Sequence, residues 1–180
     1  VGVDRLQLVA QRILGRARDT LLIVASQLQA LSTAQVNAIN TTAFASLSTT
    51  SIGGLNTTQI KGLTTSQVAA LSTDAIVALS TFQVANLTTA TMAALTTTQV
   101  QSIETTDIQA LTTGQLAGLT TTTVKALSTD QVVALKSDQI TKLGTAQVAA
   151  FSVAQVKAIE TVDLAAMGTD QIKALSPTSI

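Results

Sequence analysis

An apolar residue returns at every eighth position from Leu31 to the end of the chain, and this period limits the possible folds more than any other feature. The series runs Leu31, Ile39, Leu47, Leu55 and onward to Phe151, Ile159, Met167 and Leu175. A second apolar series lies five residues after the first, from Val36, Phe44 and Ile52 to Leu164, Ile172 and Ile180. All 19 units obey both rules without an insertion, and Ile23 with Leu28 fit one further unit ahead of them. With the Leu as position 1, the consensus octad is L-[ST]-T-x-Q-[VI]-x-A.

Periodicity decides what the octad folds into. A strand places residues of one face an even number apart, and separations of five and three are odd. A helix brings residues three apart onto one face, which fits Val36 with Ile39 and Val68 with Leu71. One continuous helix fails, because eight residues at about 100° each leave a drift of about 80° per unit. The apolar stripe would then wind around the helix. The chain therefore breaks and restarts in every octad.

Composition within the octad marks the break. Position 2 is Ser, Thr or Asn in 14 of 19 units, the residues that cap helix N-termini. Position 5 is Gln in 11 units and Asp in two, at capping-box distance from position 2, as in Ser128-Thr129-Asp130-Gln131. Pro177 falls at position 3, in the first helical turn, where a missing N–H costs nothing. Acids occupy positions 2, 4 or 5 (Asp74, Glu104, Asp107, Asp130, Asp138, Glu160, Asp163, Asp170). Lys61, Lys125, Lys142, Lys157 and Lys173 stand at positions 7 or 8, and Lys136 departs from the pattern. Acids at helix starts and cations at helix ends follow the helix dipole.

Position 8 is Ala, Gly or Ser in 16 of the 18 complete units, which predicts close approach of a neighbouring helix or corner. The units read as equivalent, and equivalent units joined by equivalent corners generate a screw. The expected fold is all-α: a solenoid of very short capped helices, one per octad, over residues 23–180. An isolated helix of about two turns is too short to persist in water, so the octads must fold as a row. Residues 1–22 leave the register. Leu6, Val9, Ile13 and Leu14 keep helical spacing with Arg5, Arg12, Arg16 and Arg18 among and around them, which predicts an amphipathic N-terminal capping or contact helix.

Composition also bears on chemistry. The chain has no His and no Cys, so an imidazole base, a thiol nucleophile and the usual zinc ligands are missing. Ten basic and ten acidic residues balance, and Trp and Tyr are absent, which argues against nucleic-acid binding. The uninterrupted apolar run Leu21 to Ala25 is five residues long and none is longer. A membrane-spanning helix needs about 20. Glu104 with Asp107 and Glu160 with Asp163 are paired carboxylates, but each pair occupies cap and third helical positions, where acids substitute for Ser and Gln. The expectation is no enzyme, no metal and no cofactor. Thr fills position 3 in 16 of 19 units, predicting a row of surface hydroxyls that serve capping or a regular binding surface.

The runs Leu63-Thr64-Thr65-Ser66-Gln67-Val68-Ala69-Ala70-Leu71 and Leu127-Ser128-Thr129-Asp130-Gln131-Val132 resemble the octapeptide arrays of large secreted or surface proteins of proteobacteria. The Thr- and Ala-rich, Cys-free composition is similar to that of surface-layer and adhesin proteins. The resemblance implies an extracellular or cell-surface structural role and carries no catalytic residues. The chain begins at Val1 and reads as a fragment or processed form. The expected function is head-to-tail self-assembly into a filament or surface lattice, with Arg5, Leu6, Val9, Arg12, Ile13, Arg16 and the terminal Ile180 as contact residues. The alternative is an adhesin stalk or surface that presents its Thr row to a glycan, a solid or ice.

Overall fold

A computed structural model of the chain describes residues 25–175, so the expected N-terminal helix over residues 1–22 lies outside the described residues. Among the described residues there are 19 helices and no strand, one helix per octad, from Ala25–Gln29 and Thr33–Asn37 to Thr161–Ala166 and Thr169–Ala174. Each begins at position 3. The residue before it is extended, as in Ser32 with φ −68 and ψ 160, and the Ser32 side chain accepts from the Gln35 N–H. A Ser, Thr or Asn at position 2 therefore caps most helix starts, the exceptions being those preceded by Glu104, Lys136, Gly144, Glu160 and Gly168.

The corners use right-handed and extended backbone only. Ala70 ends its helix at φ −86 and ψ −9. Where the helix runs one residue longer, position 1 is extended, as in Leu111 at φ −60 and ψ 135. No described residue has a positive φ. A left-handed glycine, the commonest helix stop, is not required here, which is why the consensus contains none.

Successive helices coil so that each packs on the helix three units before it. Thr65–Ala69 lies on Thr41–Ala45, and Thr113–Gly118 on Thr89–Ala93. Positions 1 and 6 fill the interior along its length: Leu63, Leu71, Leu79 and Leu87 from one series, Val68, Ile76, Val84 and Met92 from the other. Both periodic series therefore belong to one continuous core, which an isolated octad has no means of making.

Position 8 is small because position 3 of an earlier coil sits against it. A Cβ built on Gly62 would fall 3.4 Å from the Thr33 Cβ and much closer to its methyl. One on Gly118 would lie 2.4 Å from the Thr89 methyl and 3.1 Å from the Thr89 carbonyl oxygen. Gly118→Ala is therefore expected to cost about 1 kcal/mol as overpacking. Adding Thr89→Ala should return most of that cost, and a double-mutant cycle on urea midpoints measures the coupling. Additive effects would show that the two positions do not meet.

Candidate functional site

The side chain that joins coil to coil is the glutamine at position 5. The Gln99 Oε1 accepts from the Thr96 N–H at 2.8 Å, and the Thr96 Oγ1 accepts from the Gln99 N–H at 3.2 Å, which completes a capping box. Its Nε2 then donates to the Val68 carbonyl at 2.8 Å and the Leu71 carbonyl at 2.7 Å, 31 and 28 residues earlier. Gln59, Gln67, Gln83, Gln115, Gln131, Gln139, Gln147, Gln155 and Gln171 repeat this arrangement at the same two separations. Twenty-eight residues are 3.5 octads and 31 are just under four, so each coil contains between three and four helices.

One amide thus does two jobs. It caps its own helix and clamps the corner formed by position 6 of one earlier unit and position 1 of the next. The position-1 carbonyls that it reaches, such as that of Leu71, receive no backbone N–H among the described residues, so this amide is their partner. At Lys136, Gly144 and Gly168 the position-2 residue makes no side-chain cap, yet the Gln half survives: their N–H groups donate to Gln139, Gln147 and Gln171. The sequence indicates the capping half alone. The signal for the other half is that position 5 contains Gln and never Glu, although both serve in a capping box.

Position 5 also breaks the equivalence that the octad pattern implies. From Gln67 to Gln131 it reads Gln, Ala, Gln, Thr, Gln, Asp, Gln, Thr, Gln, an alternation at 16 residues. The residues between the glutamines are too short to reach the preceding coil's corner. Thr91 and Thr123 turn back to their own caps, with Oγ1 donating to the carbonyls of Thr88 and Thr120. Asp163, a buried carboxylate at the same position, instead accepts from the Ser137 hydroxyl 26 residues earlier. Ala75→Gln is expected to place a new amide against the Phe44 and Leu47 carbonyls and to stabilise the chain by about 1 kcal/mol. A thermal melt checks the sign, and a lower midpoint would mean the site lacks room.

Both described ends show this interface half made. Interior position-6 residues are covered, with Leu116, Val124 and Ile140 at 0 % exposure. Toward the C-terminal end Val156 is half-buried, and Leu164 and Ile172 reach 38 % and 36 %. At the other end position 5 is affected: Gln35 and Ala43 are half-buried, whereas burial begins at Ser51. Gln35 still accepts from the Ser32 N–H. Among the described residues, the position-6 side chains are thus more exposed near the C-terminal end and the position-5 side chains near the N-terminal end.

The other expected positions are distributed as follows. Arg5, Leu6, Val9, Arg12, Ile13, Arg16 and Ile180 lie outside the described residues. Glu104 and Glu160 sit exposed at N-caps without a side-chain cap bond, while Asp107 and Asp163 are buried. Among the described residues no group of three or more His, Cys, Asp or Glu side chains is placed to hold a metal. Most position-3 threonines are exposed. With between three and four helices per coil, consecutive threonines face different directions and wind around the solenoid. Among the described residues no helix is long and apolar enough to cross a membrane.

The family model of the ALTTAQ repeat matches residues 49–81, 100–137 and 108–145. No curated protein and no solved structure matches the chain. The matched segments are similar to ALTTAQ repeats, and the chain is an array of octapeptide-type repeats folded as a solenoid of short helices.

Proposed function

We propose that the chain is a structural repeat protein that associates end to end into a filament or surface lattice, outside the cell and on a bacterial surface. One observation supports this reading: the position-6 residues Leu164 and Ile172 are exposed, whereas their interior counterparts Leu116, Val124 and Ile140 are covered. Apolar area of this kind, left open in a repeat array, favours stacking. The extracellular and bacterial part rests on the likeness of the octads to those of secreted and surface proteins. Exposed position-3 threonines support a second reading, a stalk or display surface that binds a glycan or a solid.

Negative-stain electron microscopy of the 180-residue chain across a concentration series separates the two. Filaments or ordered sheets that lengthen with concentration are expected. Separate short rods at every concentration would overturn self-assembly and leave the display surface as the function to pursue.

A further inference from the structure

We propose that each of the two acidic octads binds a calcium ion, held between coils at the place where a glutamine amide sits elsewhere. The chain contains two glutamates, Glu104 and Glu160. Each stands three residues ahead of one of the two aspartates at position 5, Asp107 and Asp163. By sequence these acids substitute for Ser and Gln, with no metal expected. In the structure they do neither job. Glu104 and Glu160 are exposed and make no side-chain cap, and the aspartates have no amide for the corner. The proposal does not depend on self-assembly.

Position 5 faces a corner made of acceptors. In the consensus octad the Gln99 Nε2 lies 2.8 Å from the Val68 carbonyl oxygen and 2.7 Å from that of Leu71, while position 2 is within reach of the same amide. The same steps of 31 and 28 residues set Asp107 at the corner of Ile76 and Leu79, and Asp163 at that of Val132 and Leu135. The Leu79 and Leu135 carbonyls receive no hydrogen bond among the described residues. An ionised carboxylate has no hydrogen to give them. Asp107 is 3 % exposed, and its carboxylate has neither a hydrogen bond nor an ion pair among the described residues. Asp163, equally buried, accepts from the hydroxyl of Ser137, two residues past Leu135, which shows that an acid at position 5 points at its corner. A carboxylate buried among acceptors calls for a positive charge beside it.

The donor set selects the ion. Each site offers two carboxylates and two main-chain carbonyls, and the second adds the Ser137 Oγ. Oxygen ligands alone select a hard cation, and a mixed set of carboxylates and carbonyls suits calcium better than magnesium, which demands a near-ideal octahedron. Two carboxylates balance its two charges. Aspartate is too short to meet the corner directly, but two metal–oxygen bonds of about 2.4 Å span that gap. No fully enclosed side-chain oxygen lacks a partner among the described residues, so the Asp107 carboxylate keeps contact with solvent, by which an ion enters. A bound ion joins coil to coil as the glutamine does.

Calorimetric titration of the full chain with calcium chloride, after chelator treatment, is expected to show two ions bound per chain, with dissociation constants of about 0.1–1 mM. Saturating calcium should raise the melting midpoint by about 5 °C. Asp107→Gln and Asp163→Gln restore the consensus clamp, so each should fold, melt no lower than the calcium-free parent and bind one ion fewer; the double variant should bind none. Glu104→Gln and Glu160→Gln, at exposed side chains, should each weaken one site at least about tenfold. Neither heat nor a shifted midpoint at about 10 mM calcium would overturn the proposal. So would binding that survives in the double aspartate variant, or that magnesium matches, since surface acids such as Asp130 and Asp138 would then be gathering ions without a site. Affinity unchanged by both glutamate variants would overturn the two-carboxylate site.

Discussion

Gln99→Glu is expected to destabilise the protein by about 3–5 kcal/mol, the scale of leaving a charge buried without a partner. The substitution keeps length, shape and the oxygen that accepts from the Thr96 N–H. It removes the Nε2 that donates to Val68 and Leu71, and sets a carboxylate oxygen against those carbonyls. Gln99→Ala loses these bonds and the acceptor for the Thr96 N–H as well, but adds no repulsion, and should cost about 2 kcal/mol. The order is the informative part. If position 5 served capping alone, glutamate would do as well as glutamine and alanine would be the worse variant. Urea denaturation of the three proteins at neutral pH decides it, and a glutamate variant as stable as the parent would remove the clamp from the account of what joins the coils.

The same residue shows what the sequence makes legible. Helix starts, the core series and the small position 8 are written in local chemistry: a capping residue, two apolar positions and a missing side chain at one corner. Each requires only its own octad, or the existence of some neighbour, so each is readable from a single chain. The number of helices per coil is not local. It is set by how far Gln99 reaches back, and the sequence marks that reach only through the exclusion of glutamate from position 5. Corner geometry is equally silent, since the turn is made by ordinary right-handed and extended residues such as Ala70 and Leu111, with no glycine to mark it. The alternation at position 5 is present in the sequence. Its meaning appears only once the glutamine is seen to hold a corner that Ala75, Thr91 and Thr123 are too short to hold.

Leu116→Ala and Ile172→Ala delete side chains from the same position of the octad, yet their expected costs differ severalfold. Leu116 is fully covered, and its truncation opens a cavity between coils at a cost of about 3–4 kcal/mol. Ile172 is 36 % exposed, and its truncation should cost under about 1 kcal/mol in the dissociated chain. In a quasi-one-dimensional array each unit depends on its neighbours, so the interior variant should do more than lower a midpoint. Hydrogen exchange is expected to show protection lost first across the units on either side of Leu116, dividing the array, while the Ile172 variant frays only at its end. Assembly reverses the comparison. If a second copy covers the C-terminal face, Ile172→Ala should raise the concentration needed for filaments by about tenfold, which is the 1.4 kcal/mol that burial of that side chain would contribute. An Ile172→Ala variant that assembles at the parent's concentration would show that this face is not where the copies meet.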